Sequence, residues 1–586
     1  MNNNILHLRV QMMLGMVAVS LLLAIPESRA QSQDSGASSP VEPLVVPLQL
    51  VPPPLSTAKE QFFRENPAAW SQFLSQLPRR LDVPPQSTPQ PAIAAFTGGT
   101  WQSPCCTSFF PTNPLLLTDG TVIAHAGSTA DWYKLTPDIN GSYVNGTWSQ
   151  IASLPVINGT QYAPLYFASA VLPDGRVIIM GGEYNGGVGD HTNMGAIYDP
   201  VADSWEAVSP PTGAAWFAIG DAQSTVLADG TFLLAACCGG SPTADALFDA
   251  ATLSWTATGG PSNSYSYSYQ DEQGYELLPN GNVLTIDIWD SYPTANTTNA
   301  EQYDPSSGTW ISAGNTPVPL ADPYKCGNWE IGPAVMRPDG TLVAFGGNTG
   351  CKGVPKPDPT AIYDTIDGEW TAGRNIPALC AANGTTSCSL ADAPAALLPD
   401  GNILFAASAG GGSQPTHFFE YASSNAIKQV ADTVFCAGEE PSYAVNFLVL
   451  PNGQILATDL CNAPEFYTPS GVPKASWSPV ITSHPKKVTP GGSYTIVGTQ
   501  FNGLSQGAYY GDDVQGATNY PIVRITNTVT GHVFYARTAN HSTMSIAPGA
   551  AGSTTFTVPA VIETGTSDLV VIANGIASKH VTITVE

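Results

Sequence analysis

The sequence predicts an all-β protein, a seven-bladed β-propeller followed by an immunoglobulin-like β-sandwich. Three observations carry this. An apolar strand, an Asp-Gly or Asn-Gly turn and a second apolar strand recur seven times. Most copies are followed by an aromatic-acid pair, a short turn and a Trp. After Trp477 that phrase stops, and short alternating strands separated by Gly and Pro take over.

Taken in order, the 586-residue chain opens with Arg9 and an apolar run, Met12–Ile25, ahead of Ser28-Arg29-Ala30. That is the pattern of an export signal, residues 1–30, cleaved before Gln31. The run is too short to span a bilayer comfortably, and no membrane span is expected once the signal is removed. The expected location is secreted, extracellular or periplasmic. Residues 31–96 are rich in Pro, Ser and Gln and read as a linker. They carry a short helical island: Thr57 and Glu60 form a capping box, and Asn66-Pro67 opens a second start through Trp70, Phe73, Leu74 and Leu77.

Residues 97–478 hold the repeat. Its turn glycines are Gly120, Gly175, Gly230, Gly281, Gly340, Gly401 and Gly453, between 51 and 61 residues apart. A two-residue Asn-Gly or Asp-Gly hairpin needs positive φ at both central residues, and these residue types tolerate it. The second phrase appears as Tyr198-Asp199…Trp205, Phe248-Asp249…Trp255, Tyr303-Asp304…Trp310 and Tyr363-Asp364…Trp370. Its regularity marks packing between strands. Four strands per unit of about 50 residues is the period of a kelch-type blade. The unit around Gly401 lacks the Trp and reads as a degenerate blade, and Trp101 belongs to a strand that helps close the ring. Residues 479–586 read as the C-terminal sandwich, with SYTIVG, PIVRITNT, HVFYART, TTFTVP, DLVVIAN and HVTITVE as its strands.

Composition excludes some functions. The net charge is −26 with only 20 Lys and Arg, so no basic footprint exists for nucleic acid. Ten Cys in an exported chain suggest disulfides. Cys326 with Cys351 and Cys436 with Cys461 each flank one hairpin, and Cys380 with Cys388 closes a short loop. The adjacent pairs Cys105-Cys106 and Cys237-Cys238 fit either vicinal disulfides or bridges between blades.

Repeats of this kind ahead of a C-terminal sandwich resemble the galactose oxidase and glyoxal oxidase family, over residues 97–586. The stretch FNGLSQGAYYGDDVQGATNYPIVRITN is similar to the closing module of its bacterial secreted members. The resemblance implies a copper ion held by two Tyr and two His, with one Tyr cross-linked to a Cys, and oxidation of alcohols or aldehydes with release of hydrogen peroxide. Counting back from the turn glycines, Tyr166 in YFASAVLPDG takes the place of the cross-linked Tyr, but Asn113 stands where its Cys partner belongs. Tyr443 in YAVNFLVLPNG takes the place of the axial Tyr, with Ala444 where the first His belongs. The second His position matches Ala539, and His541 follows two residues on. Copper is therefore not expected, and no catalytic set is assigned.

The same counting places carboxylates nine to fourteen residues before the turn glycines: Asp221, Asp271, Glu272, Glu330, Asp392, Glu439 and Glu440. Tyr166, Tyr269, Trp329 and Tyr443 share that band. Equivalent blade positions converge on one end of the axis. Carboxylates with aromatics suit a sugar, and Asp221, Glu330 and Asp392 could also hold calcium through hard oxygen ligands. The expectation is a monomer that binds carbohydrate or a cell-envelope component at the propeller mouth. An active copper radical oxidase and a structural or adhesive protein are the alternatives.

Overall fold

The computed structural model describes residues 98–586, apart from Cys105 and residues 238–243, 262–269, 271–272, 289–297, 322–329, 348–357, 377–387, 410–413, 436–439, 460 and 511–515. The expected signal and helical island lie outside the described residues. What is described is all-β. Its helical content is three single 3₁₀ turns, Ala214–Phe217, Ser442–Ala444 and Ala475–Trp477.

Up to Thr468, beside a small three-stranded sheet and the hairpin Val156–Ile157 with Thr160–Gln161, seven antiparallel sheets are each built as a meander around one repeat. Their first strands are Pro111–Leu116, Ala168–Val171, Ser224–Val226, Glu276–Leu277, Ala334–Met336, Ala395–Leu397 and Asn446–Val449, which number sheets 1 to 7. Each first strand touches those of the sheets before and after it, and the seventh returns to the first, so the sheets form a closed ring. Closure uses both ends of the repeat region. Thr100–Gln102 supplies the outer strand of sheet 7, with Trp101 opposite Tyr467. The Trp101 ring lies 4.9 Å from Tyr467 and 5.0 Å from Phe418 of sheet 6.

The turns differ from the two-residue hairpin expected. Only the glycine is left-handed, with φ between 76° and 92° at all seven positions, and no turn Asp or Asn has positive φ. In the first copy Gly120 N donates to Leu117 O, and Leu117 N to Thr121 O. That is a three-residue loop with a glycine bulge. The residue before the glycine has another task. Asp119 Oδ1 accepts from Thr121 N at 3.0 Å, and Asp174, Asp229, Asn280, Asp339, Asp400 and Asn452 repeat this bond. A short acceptor side chain is needed there, which explains why only Asp and Asn occur.

The aromatic-acid and Trp phrases pair across the two outer strands: Tyr198 opposite Trp205, Phe248 opposite Trp255, Tyr303 opposite Trp310 and Tyr363 opposite Trp370. Each Trp Nε1 then donates to a carbonyl of the preceding sheet, namely Ala152, Ser209, Gly259 and Ala313. One phrase thus serves both its own sheet and the seam with the sheet before it.

Beyond Trp477 the strands form one continuously bonded sheet with its own core of Val488, Ile496, Phe501, Val523, Ile525, Phe556, Val571 and Ile583. Val533–Ala539 changes partners along its length, from Ile522–Asn527 to Ala551–Thr557, and so folds the sheet over that core. This sheet rests on the turn end of the ring. Thr538 N donates to Thr118 O, His541 N to Pro173 O and Met544 N to Ala228 O. From it one segment enters the ring. Gln506 Oε1 accepts from Leu277 N at 2.8 Å, and its Nε2 donates to Thr225 Oγ1 at 2.8 Å. Ala508 and Tyr509 then pair with the first strand of sheet 6.

Candidate functional site

At the end of the ring opposite the turns, a small pocket opens between sheets 7, 1 and 2. It opens to solvent at its mouth and is lined by Thr112, Asn113, Leu165, Tyr166, Phe167, Tyr443, Ala444 and Asn446. Four positions counted independently from three different turn glycines, Asn113, Tyr166, Tyr443 and Ala444, therefore meet in one place.

The walls are held by bonds between sheets. Asn113 N donates to Asn446 Oδ1 at 2.9 Å, which ties sheet 1 to sheet 7. Asn113 Nδ2 reaches Ser169 Oγ of sheet 2 at 3.4 Å. Tyr443 and Ala444 sit in the 3₁₀ turn Ser442–Ala444, and Ser442 N donates to Ser408 Oγ of sheet 6 at 2.5 Å. Tyr166 O accepts from Glu183 N at 2.9 Å. Asn113 and Tyr166 are both left-handed, with φ of 42° and 51°. That conformation is uncommon for a bulky aromatic, and persists where the surroundings over-determine it.

Burial holds the Tyr443 phenol well above the usual tyrosine range, and the nearby carboxylates of Glu440, Glu183 and Asp392 add to it. It is thus a neutral hydrogen-bonding phenol. The Tyr166 ring meets Tyr184 edge-on at 6.2 Å. The site therefore offers three aromatic rings, two phenolic hydroxyls and two side-chain amides. Ring faces stack on apolar sugar faces, and amides and phenols bond hydroxyls.

The acidic band is placed unevenly. Asp392 and Glu440 lie within electrostatic reach of Tyr443. Asp221 is buried in the connection between sheets 2 and 3, beside the Gly182–Gly220 backbone bond. The Glu330 carbonyl packs on Gly347. None of the four lines the pocket. Among the described residues no three His, Cys, Asp or Glu side chains gather into a metal-sized group, so Asp221, Glu330 and Asp392 do not form one. Asp271, Glu272, Tyr269 and Trp329 lie outside the described residues, as do Glu439 and Cys326, Cys351, Cys380 and Cys436. Cys388 and Cys461 are each disulfide-bonded, as are Cys106 and Cys237.

The residues present do not fit the copper site that the family resemblance implies. No imidazole lines the pocket. Ala539 lies in a strand of the C-terminal sheet. His541 is buried there, its Nδ1 bonded to Thr554 Oγ1 at 2.9 Å and its ring parallel to Tyr520. Its backbone sits on Pro173, at the turn end of sheet 2, whereas Tyr166 stands at the other end of the same strand. Seven residues of strand separate the two, roughly 20 Å, too far for a shared ligand set. Phenol, amide and methyl groups without imidazole are a poor donor set for Cu(II).

Sequence reasoning missed Glu183, Asn446, Phe167 and Thr112. Asn446, Phe167 and Thr112 lie seven or eight residues before Gly453, Gly175 and Gly120, inside the stretches counted, but match no residue of the copper site and carry no carboxylate. Glu183 lies eight residues after Gly175, and the antiparallel return strand brings it back to the same end as Tyr166.

No protein-family model matches the chain, and no curated protein matches it. Among solved structures it is similar to a fungal alcohol oxidase of the AA5 family in complex with copper, at 14% identity and a TM-score of 0.46, covering 83% of this chain and 99% of that one. It is also similar to a GH74 xyloglucanase from Xanthomonas campestris, at 12% identity and a TM-score of 0.43, covering 69% of this chain and 60% of that one. Among the described residues no helix is long and apolar enough to cross a membrane.

Proposed function

We propose that the chain is a secreted, galactose-oxidase-like protein in which the copper radical site has become a carbohydrate site. In this reading residues 97–478 are a seven-bladed kelch-type propeller, residues 479–586 an immunoglobulin-like sandwich, and residues 1–30 a signal removed on export. The protein acts as a monomer and binds a neutral sugar, free or in a cell-envelope polymer. The observation that carries the reading is the pocket itself: Tyr166, Phe167 and Tyr443 supply rings, Asn113 and Asn446 supply amides, and Ala444 supplies only a methyl group. Cys326–Cys351, Cys380–Cys388 and Cys436–Cys461 are the disulfide pairs we assign to it.

The test combines titration calorimetry against a panel of neutral oligosaccharides with metal analysis and a peroxide-coupled assay on simple alcohols and aldehydes. Saturable sugar binding that is lost in Tyr166→Ala supports the reading. Stoichiometric copper with peroxide release overturns it in favour of an oxidase. Binding to no sugar, together with capture of an envelope protein through the loops, overturns it in favour of an adhesive role.

A further inference from the structure

Three buried carboxyl groups stand in three successive seams of the ring. Asp245 of sheet 3 faces sheet 4. Its Oδ1 accepts from Gln270 Nε2 at 3.0 Å and Tyr275 OH at 3.1 Å, and its Oδ2 from Trp310 Nε1 at 3.1 Å. Glu276 lies in the first strand of sheet 4 and bonds the backbone of Ala334 in the first strand of sheet 5. Asp358 of sheet 5 faces sheet 6, where its Oδ2 accepts from Leu390 N at 3.2 Å and Ser389 adds a side-chain bond. Asp358 Oδ1 has no hydrogen-bond partner. Asp245 and Asp358 are fully buried, and Glu276 is 4% exposed.

No cation faces any of them among the described residues. The titratable groups that do are Tyr275 and Tyr303 around Asp245, with Glu301 close to Tyr275, and Tyr509 beside Glu276; none faces Asp358. All of these are neutral or acidic. A carboxylate removed from water without a cation takes up a proton instead.

We infer that the ring is closed by protonated carboxyls in the seams between sheets 3 and 4, 4 and 5, and 5 and 6, so that acid holds these seams shut and rising pH loosens them. The same sheets anchor the axial segment: Gln506 bonds sheets 3 and 4, and Ala508–Tyr509 pairs with sheet 6. Loosening the seams therefore loosens the segment.

Burial supports this by raising all three groups. Asp245 is pushed up to about 7, and Glu276 and Asp358 well above the usual carboxylate range. A group raised in the folded state binds its proton more tightly there than in the unfolded chain. Its stabilisation is complete below the unfolded value and is lost as pH rises through the folded one. In that window each such proton raises the unfolding equilibrium constant up to tenfold per pH unit. Asp245 contributes only up to about pH 7. Glu276 and Asp358 contribute until the pH passes their own raised values.

The test is denaturant unfolding of the full chain between pH 4.5 and 8.5, from the ordinary carboxylate value upward, for wild type, Glu276→Gln and Asp358→Asn. The expected result is a wild-type unfolding constant that climbs with pH, and a loss of up to tenfold per pH unit from that climb in each variant. Coincident pH dependences for wild type and both variants overturn the inference. Should a variant fail to fold, hydrogen exchange on the wild type decides. After correction for intrinsic rates, protection of Leu277, Leu390 and Leu397 should fall with pH faster than that of Ile178, which pairs with Ala170 inside sheet 2. Equal loss at all four overturns the inference.

Discussion

Tyr510 OH donates to the carbonyl oxygen of Tyr443 at 2.5 Å, across 67 positions of sequence. Tyr510 belongs to the segment that enters the ring from the C-terminal sheet, and Tyr443 forms a wall of the pocket. The far end of the chain thus holds the site in place. This makes Tyr510 a positioning residue for that wall.

Tyr510→Phe removes this hydroxyl and keeps the ring. A buried acceptor left unmade costs about 1–3 kcal/mol. Thermal unfolding should register that loss, and hydrogen exchange should quicken at Ala444 and Val445 while Ile178, within sheet 2, is unchanged. An unaltered exchange pattern would show that Ser408 alone holds the turn.

Tyr166→Ala and Tyr443→Ala each remove a ring from the pocket. If the site takes a sugar, calorimetry should show affinity falling by about tenfold or more in each, in keeping with loss of about 1.4 kcal/mol or more. Tyr443→Phe keeps the ring and loses the hydroxyl, and should retain part of the affinity. Full affinity in both alanine variants would place the ligand elsewhere.

Gly281→Ala tests the turn. Gly281 has φ of 90°, and an added Cβ would meet only the Ala228 Cβ, at 3.8 Å. The cost is therefore conformational rather than steric, about 1–2 kcal/mol. It should appear as a lower midpoint in denaturant with an unchanged slope.

Two of the buried histidines, His125 and His541, add to stability against acid. Burial holds His125 down to about 4 and His541 down to about 3. Each stays neutral in the fold while the unfolded chain takes up a proton below about pH 6.5. Each therefore adds stability that is complete above the unfolded value and drains as pH falls toward the folded one. His541→Gln should lessen the pH dependence of unfolding between pH 3 and 6.5 and leave it untouched above pH 7. Circular dichroism across that range reads both outcomes.

Much of the ring was legible because it repeats. Seven copies of one phrase fixed the strand pairs and the turn glycines, and four copies of a second marked the Trp that crosses to the preceding sheet. The turn type was not legible, because Asp-Gly suits two loop lengths. The bond from Asp119 to Thr121 N chooses between them. Counting from the glycines found Asn113, Tyr166, Tyr443 and Ala444. Asn446 stands at the same offset as Asn113, seven before its turn glycine, but its part in the site is a bond to Asn113 N across a seam, which no count shows.

By itself the sequence determined that the chain is β-rich, where its repeats turn, and that Asn113 and Ala444 bring an amide and a methyl group where a thiol and an imidazole would be needed. These are local facts, carried by residue type and spacing. Only the tertiary structure decided that four distant positions share one pocket, that His541 is held at the other end of the ring, and that Tyr510 reaches Tyr443. The physical reason is closure. Ring closure brings together residues hundreds of positions apart, and no local pattern encodes which side chains will meet there.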